Sequence, residues 1–354
     1  MIKLFEKFAL RDIEFRNRIW VSPMCQYSCE DGMAADWHLA HYGSRAAGGA
    51  GLVLVEATAV APEGRISPQD LGIWSAAHAN ALQRIARFIK DQGAVAGIQL
   101  AHAGRKASIA VPWNGGKSVG EGNGGWQTVA PSALPFAADD PLPHQMTKND
   151  LDKVIADFCI AAQRSVEAGF EVIEVHSAHG YLCHQFLSPL SNRRSDEFGG
   201  SLQNRLRFPL QIAGAVRETV PSHLPVFVRI SATDWAPGGW DIEQSIEFCK
   251  ALKKLGIDLI DVSSGGNIAD AEVPAVPGFQ VPFAKAIREQ AAIPTGAVGL
   301  ITEPQQADDI LRKGEADAIL IGREFLRNPY FVFRAAQELG AHADVPKQYQ
   351  RAIK

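Results

Sequence analysis

Short, apolar, β-branched runs recur along the whole chain: IWVSPM (19–24), LVLVEATAV (52–60), VAGIQLA (95–101), EVIEVHS (171–177), VFVRISA (226–232), LIDVSS (259–264), PTGAVG (294–299) and AILIGR (318–323). Runs of this length and uniform apolarity read as strands buried on both faces. Between them the pattern turns helical over Ala76–Gln92, Asn149–Gly169, Leu202–Val220, Asp241–Gly256, Val281–Ala291 and Glu303–Lys313. Gly169 and Gly256 stand where helices are capped. Eight such strands alternating with helices predict a closed parallel (β/α)8 barrel, a single α/β domain over 1–354. A doubly wound sheet competes with it. That fold usually carries a Gly-rich turn after its first strand, and here the strand runs into Pro23-Met24-Cys25.

One segment breaks the rhythm. Residues 103–146 are rich in Gly and Pro and leave the third strand at its C-terminal end, the active face of such a barrel. Loops of this length usually serve as lids or binding loops. Trp113, Trp126 and Phe136 within it predict a packed capping insertion rather than a disordered one.

Composition narrows the class. Of the 354 residues 46% are hydrophobic and 21% charged, as in an ordinary globular protein with a large core. A formal charge of −4 gives no reason to expect a nucleic-acid partner. No run approaches a membrane span, and the N-terminus lacks a signal peptide's apolar region. Five scattered cysteines argue against a disulfide framework, so the expected compartment is the cytoplasm.

The strand ends hold the candidate chemistry. In order they offer Ser22-Pro23-Met24-Cys25-Gln26-Tyr27, Glu56-Ala57-Thr58, Gln99 with His102, and His176, His179 and Tyr181. Then follow Arg229, Ser263-Ser264-Gly265-Gly266, Ala297-Val298-Gly299 and Gly322-Arg323. His176 and His179 meet only if the strand ends and the backbone turns between them. A metal would need further ligands; Glu56 and Asp261 are present but share no motif with the histidines. A better fit is recognition of an oxygen by two imidazole donors, with the Tyr181 phenol supplying a proton nearby. That pair suits reduction of an activated double bond, which needs a hydride-carrying cofactor. Backbone N–H groups at Gly299 and Gly322, with Arg323, suit a phosphate. Gln99 and Arg229 suit a flat heteroaromatic edge.

The chain resembles the old yellow enzyme family of FMN-dependent ene-reductases. The resemblance runs from RNRIWVSPMCQY through VEATAV, GIQLAHAGRKAS, HSAHGYLCHQFLSPLSNRRSDEFGGSLQNRLRF and VRIS to ILIGREFLRNP. PMCQY and the terminal QYQR resemble its thermophilic-like (YqjM-like) branch, which includes xenobiotic reductase. The resemblance implies a TIM barrel, bound FMN, and NADPH or NADH as a transient reductant in ping-pong turnover. It places Ser22, Pro23, Met24, Cys25 and Ala57 along the flavin, and Gln99 and Arg229 at its pyrimidine edge. Ala297, Gly299, Gly322 and Arg323 would meet its ribityl and phosphate groups. His176 and His179 would hold the substrate's carbonyl or nitro oxygen, and Tyr181 would be the proton donor. Cys25 would tune the flavin, and Tyr27 would be a second phenol in the pocket. Val298 replaces a tryptophan of xenobiotic reductase and implies a roomier wall. The tail, 340–354, carries Arg351, read either as a solvated terminal arginine or as a finger into a neighbouring subunit of a homodimer or homotetramer. A metal-dependent hydrolase and a flavin-binding protein without turnover are the rival readings.

Overall fold

The computed structural model describes residues 2–353. A hairpin of β1 (Phe8–Leu10) and β2 (Ile13–Phe15) precedes β3 (Ile19–Val21), β4 (Leu52–Ala59) and β5 (Val95–Ala101). A ribbon of β6 (Val129–Ala130) and β7 (His144–Gln145) leads to β8 (Val172–Ser177), β9 (Val226–Ser231), β10 (Leu259–Ser263), β11 (Thr295–Ala297) and β12 (Ala318–Ile321). β3, β4, β5 and β8 to β12 pair in chain order, each parallel to the next. Ile319 of β12 lies opposite Ile19 of β3, closing the eight-stranded barrel.

Among the described residues ten α-helices surround or cap it: α1 (Asp36–Ala47), α2 (Ala76–Asp91), α3 (Lys148–Glu167), α4 (Leu182–Leu187), α5 (Leu202–Thr219), α6 (Ile242–Lys254), α7 (Val281–Gln290), α8 (Pro304–Arg312), α9 (Arg323–Arg327) and α10 (Phe331–Leu339). Ser75, Thr147, Ser201 and Asp241 cap α2, α3, α5 and α6, each side chain accepting a backbone N–H three residues on. Gly169 and Gly256 follow α3 and α6 with φ of +91° and +84°, the left-handed turn expected there.

Alternation along the strands sorts the barrel interior into storeys. The floor is apolar: Trp20, Leu52, Leu54, Val95, Val172, Phe227, Leu259 and Leu320. The hairpin seals it from below, with Phe15 and Trp20 ring centroids 4.6 Å apart and Trp20 5.8 Å from Phe227. Two residues further up β8, β9 and β10 come Glu174, Arg229 and Asp261, with Gln99 four beyond Val95 on β5, and above these His176, Ser231 and Ser263. A bulge in β4 between Val55 and Ala57 re-aims that strand. Ala57 then pairs with Gln99, while Glu56 turns outward to α1.

The strand predicted over 19–24 stops at Val21, because the chain peels away toward Glu56. The one predicted over 294–299 is only Thr295–Ala297, since Gly299 bends at φ +129°. Helix α1 was not expected. Its inner face is polar, with His38, His41 and Arg45 buried beside Tyr42, so no apolar stripe marks it. Residues 103–146 fold into turns and the β6–β7 ribbon. Trp126 Nε1 donates to Glu63 O at 2.9 Å, and Arg105 donates to Asn267 O at 2.8 Å. Trp113 is 68% exposed but sets its ring edge-on to Tyr27.

The floor should behave as core. Phe15→Ala is expected to lower the unfolding free energy in urea by about 3–5 kcal/mol, the usual cost of emptying a buried aromatic site. A loss below about 1 kcal/mol would mean that the hairpin is dispensable for closing the barrel.

Candidate active site

Three side chains converge where β8 ends. His176 is the last inward residue of that strand, and its Nδ1 accepts the Ala178 N–H at 3.2 Å, leaving Nε2 as the free donor. The backbone then turns through His179 at φ +57°. His179 N–H donates to Ser231 Oγ at 2.9 Å, and His179 Nε2 sits 2.7 Å from Ser263 Oγ, leaving Nδ1 free. The two imidazoles stand edge-to-face at 5.2 Å, and Tyr181 packs edge-to-face on His176 at 5.0 Å. The turn needs Gly180, since a Cβ there would meet Gly266 O at 2.2 Å.

Burial, followed by the Arg229 guanidinium, holds both histidines well below their ordinary range. Their free nitrogens are therefore those of neutral imidazoles. Burial likewise pushes the Tyr181 phenol well above its ordinary value, so it stays protonated. Pattern reading did not single out Lys106. Its Nζ donates to His179 O at 2.9 Å and Gly266 O at 2.7 Å, and it lies 5.3 Å from the Tyr181 ring centre. Burial, then Arg105, lowers its pKa to about 8. It sits in a loop, where no periodicity marks it. His184 and Asp234 were also missed, although His184 lies in the same HSAHGYLCHQ run. The Gly180 N–H donates to His184 Nδ1 at 2.9 Å, and His184 Nε2 faces Asp234 Oδ1 at 3.0 Å.

On the opposite wall, Cys25 and Tyr27 join Tyr181, Ile66 and Ala103 in one apolar cluster. Glu56 anchors this wall. Its Oε2 accepts the Gln26 N–H at 2.6 Å and its Oε1 the Tyr42 hydroxyl at 2.8 Å. Glu56 is thus committed to the backbone beside Cys25, and Asp261 faces Arg229, so neither acid serves the histidines as a co-ligand. Among the described residues no group of three or more His, Cys, Asp or Glu is arranged to hold a metal.

The remaining predicted residues ring the same mouth. Ser22 N–H donates to Ile321 O at 3.0 Å, and Met24 Sδ would lie 3.6 Å from a Cβ at Gly322. Val298, Gly299, Gly322 and Arg323 line a cavity of about 250 Å3 with Ser263 and Gln280. Ala297 is buried in β11 beneath it. Arg323 is exposed and has no carboxylate partner among the described residues. Arg351 stands apart on the exposed tail, where Tyr349 packs against Tyr330 at 5.8 Å.

A flavin suits the donor set. Arg229 is 6% exposed, yet its guanidinium hydrogen-bonds to none of the described residues; Nε only faces Asp261 Oδ2 at 3.0 Å. Ser22 Oγ is a buried hydroxyl without a partner among the described residues. Gln99 uses its Nε2, and its Oε1 bonds to none of them. A buried cation, hydroxyl and carbonyl facing one mouth match a polar ring edge. The glycine-bearing cavity beside a free arginine matches a phosphate.

Burial, then the Asp70 and Glu56 carboxylates, pushes the Cys25 thiol well above its ordinary value. Iodoacetamide at about pH 8 should therefore label Cys25 at least about tenfold more slowly than a free thiol of ordinary pKa. Peptide mapping by mass spectrometry gives the rate, and labelling as fast as glutathione would mean an activated thiolate instead.

Comparison with known proteins identifies the framework. The sequence profile of the NADH:flavin oxidoreductase / NADH oxidase family matches residues 3–342. The chain is 52% identical over 356 residues to an NADPH dehydrogenase of Listeria innocua serovar 6a, covering 100% of both chains. It is 48% identical over 350 residues to an NADPH dehydrogenase of Geobacillus thermodenitrificans, covering 98% of both. Among solved structures, the old yellow enzyme homologue from Zymomonas mobilis superposes with a TM-score of 0.80 at 26% identity, over 98% of this chain and 96% of that one. Morphinone reductase does so with a TM-score of 0.78 at 27% identity, over 97% and 91%. A match over nearly the whole length, joined to a closed barrel whose mouth presents a flavin's complementary groups, leaves one conclusion: the chain belongs to the NADH:flavin oxidoreductase / NADH oxidase family, among the old yellow enzyme group of FMN-dependent oxidoreductases.

Proposed function

We propose that the protein is an NAD(P)H-dependent ene-reductase, acting on double bonds activated by a carbonyl or nitro group. The observation that carries this reading is the grouping of two neutral imidazoles and a protonated phenol at the turn after β8. Bound FMN would supply the hydride, received from NADPH or NADH. His176 Nε2 would donate to the activating oxygen, joined by His179 Nδ1 in the tautomer whose Nε2 accepts the Ser263 hydroxyl, and both would stabilise the negative charge that grows on that oxygen as the β-carbon is reduced. Tyr181 would deliver a proton to the α-carbon, and solvent would restore that proton. The Lys106 ammonium near the Tyr181 ring would favour the transient phenolate.

Gln99 and Arg229 would hold the pyrimidine edge. Ser22, Pro23, Met24, Cys25 and Ala57 would line the ring, and Ala297, Gly299, Gly322 and Arg323 the ribityl and phosphate groups. Cys25, as a neutral thiol, would tune the ring rather than attack substrate, and Tyr27 would close the pocket. Reductant and oxidant would occupy this one mouth in turn, which makes the kinetics ping-pong. The whole chain would form one domain capped by 103–146. Arg351 would complete the site of a neighbouring copy in a homodimer or homotetramer. Five free cysteines and the bacterial relatives support a cytoplasmic location.

Stopped-flow kinetics separate the two half-reactions. Tyr181→Phe should slow reoxidation by an enone by about 10²–10⁴-fold, the range of a lost general acid, and leave reduction by NADPH nearly unchanged. Equal slowing of both halves would contradict the proton-donor role. His176→Ala should weaken phenol binding about 10- to 100-fold, through loss of a hydrogen bond to a charged oxygen. An unchanged phenol affinity would contradict the oxygen grip.

A further inference from the structure

Two buried acids lie beneath the histidines, and the reaction as described uses neither. Glu174 and Asp261 are both fully buried inside the barrel, on β8 and β10. Asp261 pairs in register with Arg229 on β9, while Glu174 pairs with Phe227, two residues below Arg229, and with Gln99 on β5. Gln99 Nε2 lies 2.8 Å from Glu174 Oε1. A primary amide can turn end for end, and the partner it meets decides which end faces away. A carboxylate can only accept, so Glu174 when ionised draws the Gln99 NH2 toward itself and leaves Oε1 for the mouth. The apolar floor of Val172, Phe227 and Leu259 offers no competing partner. Asp261 faces the Nε side of Arg229 and leaves the two Nη groups without a protein acceptor.

We propose that Glu174 is a positioning residue that fixes the Gln99 amide with its oxygen toward the cofactor. Gln99 then accepts from the imide N–H of the flavin's pyrimidine ring, while Arg229 donates to the neighbouring carbonyl edge. This rests on the flavin reading above and deepens it. The charged or titratable groups facing Glu174 are Arg229 on β9, Asp261 on β10 and His176 further along its own strand; β5 presents only neutral Gln99. Burial, then Asp261, raises Glu174 to about 8 against the opposing pull of Arg229 and the Gln99 hydrogen bond. Above that pH the carboxylate enforces one amide orientation. Below it the acid O–H can donate to Gln99 Oε1, and the amide is free to turn.

The test compares FMN with its N3-methyl analogue, whose imide N–H is blocked. Affinities for the full-length protein stripped of flavin are read by fluorescence quenching, independently of turnover. The wild type should prefer FMN by about tenfold or more, and the preference should grow from about pH 7 to about pH 9 as Glu174 ionises. Glu174→Gln keeps size and shape but can donate as well as accept. It should narrow the preference to about threefold or less and remove its pH dependence. Gln99→Ala measures the part of the preference due to the methyl group's bulk, and Glu174→Leu repeats the loss with no polar partner at all. Full, pH-dependent discrimination retained in Glu174→Gln would overturn the proposal. Equal wild-type affinity for both flavins would overturn it too, while leaving the flavin site intact. A wild type that binds neither flavin would reject the cofactor reading itself, and this inference with it.

Discussion

Closure of the sheet is the constraint on which everything else depends. Once β12 pairs with β3, no barrel strand has an open edge, and every second side chain of those strands is forced into a space without solvent. The lower storey meets that demand with aromatic and aliphatic groups. The next storey meets it with a polar set that pairs internally, Gln99 with Glu174 and Arg229 with Asp261. That pairing turns Gln99 Oε1 and the Arg229 Nη groups toward the mouth, where they join the groups above them. The bulge in β4 breaks this alternation, and it converts Glu56 from an inward residue into the anchor of the Cys25–Tyr27 wall.

Burial also decides which groups carry charge. It keeps His176 and His179 neutral, and Cys25 and Tyr181 protonated. The mouth is therefore a set of neutral donors beside the cations Arg229 and Lys106. That arrangement suits a reaction in which negative charge appears first on an oxygen and then on a phenol. It does not suit hydrolysis by a metal-bound hydroxide, because the nearby acids are already committed elsewhere.

Much of this was legible in the sequence because a buried parallel strand writes its length and phase directly into apolar runs. The eight barrel strands and six of the outer helices emerged within a few residues of their bounds. The ends of those strands then named His176, His179, Tyr181, Gln99 and Arg229, which the fold gathers at one mouth. Less was legible where burial is polar or chain order is local. Helix α1 hides behind buried histidines, and the hairpin strands are only three residues each. Lys106 and Asp234 lie in loops, where no period marks which side chain turns inward. Glu174 lay inside a run read as a buried apolar strand, where nothing in the pattern marked it as the partner of Gln99. Arg351 lies on an exposed tail apart from the mouth, where no strand end marks it.

The most direct measurement is an anaerobic visible spectrum of the purified protein, supplemented with FMN and titrated first with NADPH and then with 2-cyclohexenone. The account predicts a yellow protein that bleaches with NADPH and regains its colour with the enone, each in stoichiometric amount. A bound flavin that bleaches but is not reoxidised by the enone would contradict the reading of His176, His179 and Tyr181 as an enone site. A protein that takes up no FMN would contradict the account at its base.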